Sequence, residues 1–413
     1  MSAGKLVEID DARRRVLACA EPLPSETVAL GARVLGRVLA EDVTAGEPVP
    51  AFDNSAMDGF AVRAMEVEGA TASRPVALRV SGESRAGAPA PAALSPGEAI
   101  SISTGAMVPP GADAIVPVEH TRLRGDRVEI AATADAGQHV RRAGEDVRRG
   151  QAVLCAGTAV GAAELGVLAS LGRDTVACTR RPRVSVLVSG DELLGPGEPM
   201  RPGGVRDSSS FSISALVRAA GAEVVSSSLV RDDAAATREA IRHALADVDV
   251  IVICGGVSVG EHDHVRPALE ELGAQQVFWG LALKPGRPAW FGTVDGKLAF
   301  GLPGNPVSSM VTFVLLVGPA LRALMGARDA HHDATAVMDS DYAKAPGRAH
   351  ALRCRLSTRE DGWHAEPTGA QGSHILTSMI GADALAIVPS EADGVRAGER
   401  VRIEPLRCLG ALA

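Results

Sequence analysis

The feature that most constrains the fold is an alternation between residues 181 and 326. Near-continuous apolar runs, "VSVLVS", "AEVVSSSLV", "DVIVICGG" and "LAFGLPG", are each followed by a segment of helical spacing, at about 208–220, 233–246, 264–272 and 306–324. Strands buried on both faces read as unbroken Val, Ile and Leu runs, and helices that cross back to a parallel neighbour cover those faces. The pattern predicts a doubly wound α/β domain over 181–326. In such sheets ligands collect outside the carboxyl ends of the strands, so the loops leaving these runs are where chemistry is expected.

A chain of 413 residues is too long for one core and calls for two to four domains. Residues 1–50 and 140–180 read as a discontinuous N-terminal helical domain. Apolar spacing over 8–41, interrupted by "EPLPSETV", predicts two helices joined by a proline turn, and another helix is expected at about 160–171. Between them, 51–139 consists of short Val/Ile/Ala runs broken by Gly, Pro and Asp, a β-rich insertion. Residues 327–413 show only strands and turns, which suits a β-barrel-like domain or a sandwich.

Forty-two basic against 50 acidic residues give a formal net charge of -8, which argues against a general nucleic-acid or anionic-membrane surface. An anionic ligand must then be held locally. Cysteines 19, 155, 178, 254, 354 and 408 form no C-x-x-C pair, as expected of reduced thiols in a cytoplasmic protein. The N-terminus has no apolar signal-like core, and the greasy run at 311–325 is short and carries Arg322, so neither a signal peptide nor a membrane span is expected.

Three strand-to-helix loops carry the polar groups. The first holds Ser189, Gly190, Asp191 and Glu192. The second holds Gly255, Gly256, Ser258, Gly260, Glu261 and Asp263. The third holds Gly301, Pro303, Gly304, Asn305 and Ser308. Glycines let backbone amides approach an oxyanion, and the helix N-termini that follow add positive charge. Each loop alone is equally a tight turn needing positive φ. Glu192, Asp263 and Asp232 beside a phosphate would suit Mg²⁺, although Asp232 in "VRDDAAA" reads as well as a helix N-cap. "HDH" at 262–264 and "HH" at 331–332 lack further ligands at zinc spacing. Lys284 and Arg287 flank a Pro-Gly turn, and Arg141 and Arg142 precede Glu145 and Asp146; the second group is either an anion clamp or a surface ion-pair strip. With no G-x-S-x-G elbow, Walker sequence or Cys/His pair, catalysis by positioning and electrostatics is expected.

Several long strings, "FDNSAMDGFAV" (52–62), "TGAMVPPGADAIVPVE" (104–119), "RRAGEDVRRG" (141–150), "GDEL" (190–193), "GGVSVGEHD" (255–263), "LKPGRP" (283–288), "GLPGNPVSS" (301–309) and "QGSHILTSM" (371–379), together resemble the molybdopterin molybdenumtransferases, the bacterial MoeA family related to the E domain of gephyrin. The resemblance runs nearly end to end. It implies a homodimer of elongated four-domain subunits that inserts molybdate into adenylylated molybdopterin with Mg²⁺-dependent release of AMP. By motif position it implies catalytic roles for Asp58, Thr104, Glu192, Asp232, Asp263 and Lys284, with Glu192 and Asp263 holding the metal. Substrate binding would fall to Arg141, Asp146, Ser189, Gly190, Gly255, Gly256, Ser258, Gly260, Arg287, Pro303, Gly304, Asn305 and Ser373. The active site would form between subunits, with Asn54 and Ser55 fixing the loop that carries Asp58 into the partner's cleft.

Three positions depart from the family pattern: Gly280 and Arg287, where many relatives carry lysine, and Ser209, where many carry asparagine but which can still cap the next helix. The resemblance leaves open a molybdopterin adenylyltransferase, a non-catalytic scaffold paralogue, a tungstate preference, and contact with the adenylyltransferase that makes the substrate.

Overall fold

The computed structural model describes residues 6–257, 263–328 and 334–406. At its centre is a six-stranded sheet in the order Glu223–Val230, Arg183–Ser189, Val250–Cys254, Lys297–Leu302, Trp290–Val294, Gln275–Trp279. The first four strands are parallel. In chain order, strands Arg183–Ser189, Glu223–Val230, Val250–Cys254 and Lys297–Leu302 are followed by helices Ser209–Ala219, Ala234–Ala244, Val265–Glu271 and Pro306–Leu324. Because successive side chains of a strand point to opposite faces, Val250 and Val252 pack with Ile213, Val217 and Val307 on one side. Ile251 and Ile253 pack with Ile241, Leu245 and Leu269 on the other. The expectation of a parallel sheet is corrected at one edge. Trp290–Val294 runs antiparallel to both its neighbours, because Asp295 and Gly296, both at positive φ, close a two-residue hairpin into Lys297.

Helix Pro306–Leu324 is long and apolar enough to cross a bilayer, but 78% of its apolar window is buried inside the protein, as in a core helix. A π-helical turn at Phe313–Val317 interrupts it. The buried Arg13, from helix Ile9–Leu17, donates its Nε to the Leu315 carbonyl there and its Nη2 to Glu404 of the last strand.

The N-terminal half is less helical than expected. Helices Ile9–Leu17 and Ala162–Ser170 form, but the second helix expected within 8–41 does not. Ser25–Ala29 is a strand paired antiparallel with Thr175–Thr179, and only the single turn Ala32–Val34 follows. Gly31 and Gly36, both at positive φ, stop a helix from propagating between them. The β-rich segment forms a mixed six-stranded sheet from Gly59–Val62 to Arg127–Ile130. After residue 334 the strands Ala349–Arg359, Gly362–Pro367, Thr335–Met338, Arg400–Pro405 and Ala384–Val388 pair in that order. The last pairs back to the first, closing a barrel rather than a sandwich. Leu283–Lys284, from the α/β region, adds in parallel to Ala349–His350 of the barrel. The anion-binding candidates of the "LKPGRP" turn thereby lie where the two regions meet.

Candidate active site

Three loops converge at the carboxyl edge of the central sheet. Gly255 has φ +91°, and a Cβ there would lie 2.6 Å from the Ser189 carbonyl oxygen, so only glycine lets the second loop close on the first. A Cβ on Gly304 would lie 3.6 Å from Gly255 Cα, which brings the third loop to the same point. Beneath it Ser309 Oγ donates to the Pro303 carbonyl at 2.6 Å and the Asn305 carbonyl at 3.0 Å, fixing the turn. Burial pushes the Cys254 thiol, at the end of its strand, up to about 12, so it is a structural group rather than a nucleophile.

The first loop is tied to the end of strand Glu223–Val230. Ser189 Oγ donates to Asp232 Oδ1 at 2.5 Å, and Asp191 and Asp232 exchange amide-to-carboxylate bonds of 3.3 Å. The N-cap alternative for Asp232 is overturned, because the cap is Asp233, whose Oδ1 accepts the Ala236 amide at 2.8 Å. Glu192 is exposed, and its carboxylate folds over Gly190, where a Cβ would meet Oε2 at 2.7 Å. A cavity of about 300 Å³ opens here, lined by Gly190, Asp191, Arg201 and Arg231 among others. Gly256, at φ +64°, packs close to Val265, and Asp263 is half-buried just before helix Val265–Glu271. Ser258, Gly260 and Glu261 lie outside the described residues.

A larger cleft of about 790 Å³ lies between the α/β region and the barrel. Lys284, Arg287, Asn305, Ser308 and Ser373 line it, joined by Arg348. Asn305 Nδ2 donates to Ser373 Oγ at 3.2 Å across the junction. Asp341 and Glu366 also reach the cleft; the first accepts the Ala397 amide and the second the Ser340 hydroxyl. Fully buried Arg353 holds the loop carrying Ser373, with Nε to Ser378 Oγ at 3.1 Å and Nη2 to the Gly372 carbonyl at 3.3 Å. Gln371 Oε1 accepts the Arg353 amide at 2.9 Å. Arg348 and Arg353 escaped the sequence reading, since nothing local says which side of a barrel strand faces a cleft.

A third group is built on the N-terminal half. Asp58 Oδ1 accepts the Thr104 amide at 2.7 Å and the Thr104 hydroxyl at 3.1 Å. Asn54 Nδ2 donates to the Phe52 carbonyl and the fully buried Ser55 hydroxyl to the Met57 carbonyl, which holds the loop. Arg142 is a strut: the Ala143 amide, then the Arg142 guanidinium, hold the Asp53 carboxyl below its usual range. Arg141 and Asp146 are exposed. Asp58, Thr104, Arg141 and Asp146 line neither cavity.

Two of the departures have structural reasons. Ser209 is the first helical residue rather than the cap; Asp207 Oδ1 accepts the Ser210 amide at 3.0 Å instead. Gly280 sits at φ +86°, a backbone conformation that a lysine would adopt only with strain, and a Cβ there would also displace the Leu6 side chain, whose Cδ2 lies 2.9 Å away.

Family comparisons cover most of the chain. Residues 7–172 match the MoeA N-terminal region (domain I and II), 185–323 the probable molybdopterin binding domain, and 335–406 the MoeA C-terminal region (domain IV). A molybdopterin molybdenumtransferase of Haemophilus influenzae is 36% identical over 98% of this chain and 100% of its own. Molybdopterin molybdenumtransferase 2 of Mycobacterium tuberculosis H37Rv is 39% identical over 89% of this chain and 92% of its own. The crystal structure of a molybdopterin biosynthesis MoeA protein from Pyrococcus horikoshii OT3 superposes with a TM-score of 0.83 at 30% identity, over 97% of this chain and 99% of that one.

Proposed function

Because this chain belongs to the MoeA family of molybdopterin molybdenumtransferases, we propose that it inserts molybdate into adenylylated molybdopterin with release of AMP. The observation that carries the reading is the convergence of Ser189, Gly255 and Gly304 at the sheet edge, on the same α/β unit as a cleft lined by three cations. Both substrates are anions. Backbone amides at Gly256 and Gly304 can approach the phosphate of the pterin nucleotide, while those of Gly190 and Gly255 donate to the Val230 and Leu302 carbonyls and hold the loops in place; the helix starting at Pro306 adds its N-terminal dipole. Lys284, Arg287 and Arg348, with the Ser373 hydroxyl, suit a tetrahedral oxyanion in the cleft.

Mg²⁺ is part of the proposal. Among the described residues no trio of candidate ligands stands assembled, and Glu192 and Asp263 are hard oxygen donors on converging loops. That donor set fits an ion that takes few carboxylates and completes its shell with water and substrate phosphate. Bound there, the metal would neutralise charge on the phosphate. Glu192 and Asp263 would hold it, while Asp232, fixed by Ser189, orients the loop beneath.

Asp58 and Thr104 support a site completed by a second copy. They line neither cavity, and Phe52, Met57 and Met107 beside them are exposed apolar side chains suited to burial against a partner. The five cysteines described are all free thiols, which fits a reducing cytoplasm.

The test follows AMP release from adenylylated molybdopterin with molybdate and Mg²⁺, scored also by reconstitution of an apo-molybdoenzyme. Glu192→Ala and Asp263→Ala are expected to abolish AMP release while the protein stays folded. Full activity in both variants removes the metal assignment, and no release by the wild type removes the function.

A further inference from the structure

One wall of the large cleft has no part in the reading above. Tyr342, the only tyrosine in the chain, is half-buried and lines it. Its hydroxyl oxygen lies 3.0 Å from His350 Nδ1, and the two rings meet edge-on with centroids 5.8 Å apart. His350 is buried and stands directly across the strand pair from Lys284, two residues after Arg348. The tyrosine–histidine pair is therefore set into the cationic side of the cleft.

Resting on the reading of that cleft as an oxyanion site, we infer that Tyr342 is a further contact residue for the bound oxyanion, its hydroxyl turned into the cleft by a hydrogen bond from His350. Protonation states decide the direction of that bond. Burial, and then the charges of Lys284, Lys344 and Arg348, push His350 down to about 4, so at neutral pH it is a neutral imidazole with a single N–H. Burial raises the Tyr342 phenol, which keeps its hydrogen. If the imidazole hydrogen sits on Nε2, the tyrosine must donate to Nδ1 and shows only lone pairs to the cleft, which an anion repels. If it sits on Nδ1, it donates to the tyrosine oxygen and leaves the hydroxyl hydrogen free for the ligand. An oxyanion in the cleft selects the second arrangement. A neutral donor pair adds a directional hydrogen bond beside the Ser373 hydroxyl and the three cations, and so favours a ligand with oxygens at tetrahedral corners.

The experiment titrates sodium molybdate into the full-length protein by calorimetry, for the wild type, Tyr342→Phe, His350→Leu and Lys284→Ala, with thermal melting as a control for folding. Ultraviolet resonance Raman spectra of the single tyrosine are recorded alongside. Tyr342→Phe, which keeps the ring, is expected to weaken binding about tenfold, the loss of one hydrogen bond to a charged group. His350→Leu should weaken it by less. In the wild type, molybdate should shift the tyrosine marker bands toward a hydroxyl that donates, and His350→Leu should blunt that shift, an effect that loss of packing alone does not produce. Unchanged affinity in Tyr342→Phe, while Lys284→Ala still loses binding, overturns the inference and leaves the oxyanion cleft standing. Absence of molybdate binding in the wild type overturns both.

Discussion

His364 shows how one residue sets a pH dependence. It is buried in the barrel, with Nδ1 2.8 Å from Asp339 Oδ1 and Nε2 2.8 Å from Asp361 Oδ1. Both nitrogens can donate only in the imidazolium form. The bonds to Asp361 and then Asp339 hold its pKa above the ordinary histidine value, against burial and Arg359. A group whose folded pKa is raised contributes stability that is fully present below the unfolded pKa, about 6.5, and is lost as pH rises through the folded value. The melting temperature should therefore fall as pH is raised from about 6 to about 8, and His364→Gln should flatten that slope. Equal slopes in the two proteins would show that the clasp carries no charge. The buried Arg353 differs in kind: its side-chain partners are carbonyls and a hydroxyl, and burial lowers its pKa without removing its proton at any working pH.

At the scale of elements, what was legible in the sequence followed from two-sided burial. Four strands and four helices of the α/β region announce themselves because a strand covered on both faces has no polar alternation to blur it. The Asp295-Gly296 hairpin was equally readable, since Asp-Gly between apolar runs favours positive φ at both positions. It went unused because the surrounding pattern suggested crossovers. The missed strand Ser25–Ala29 has one buried residue out of five and depends on a partner about 150 residues away, so local spacing cannot separate it from a helix. Barrel closure was hidden for the same reason, since it depends on Ala349–Arg359 meeting Ala384–Val388. Of the candidate site, the glycine loops were legible because positive φ at Gly255 and Gly256, and close approach of Glu192 at Gly190 and of Val257 at Gly301, leave a compositional mark. The cleft was only half so: Lys284, Arg287 and Ser373 came from motifs, whereas Arg348 and Tyr342 reach it only through the docking of the barrel.

At the scale of the molecule, two buried or part-buried arginines join regions that are distant in sequence. Arg13 bridges the core helix and the barrel's last strand. Arg180 holds Asp249 in two bonds of 2.7 and 2.6 Å at the junction between the N-terminal half and the central sheet. Burial alone would raise the Asp249 carboxyl, but Arg180 and the Arg183 amide bring it below its usual range. Such junctions fix the frame in which a second copy must dock. If Asp58 serves its partner's site, inactive Asp58→Ala mixed with inactive Asp263→Ala should regain about a quarter of wild-type AMP release, because half of random dimers are mixed and each carries one intact site. No recovery would confine the site to one chain. The most direct measurement of the whole account is anomalous diffraction at the molybdenum edge from crystals soaked with molybdate and adenylylated molybdopterin. A molybdenum peak is expected in the cleft among Lys284, Arg287, Arg348 and Ser373, with the nucleotide at Gly190, Gly255 and Gly304; metal or nucleotide bound away from that edge would contradict the proposed site.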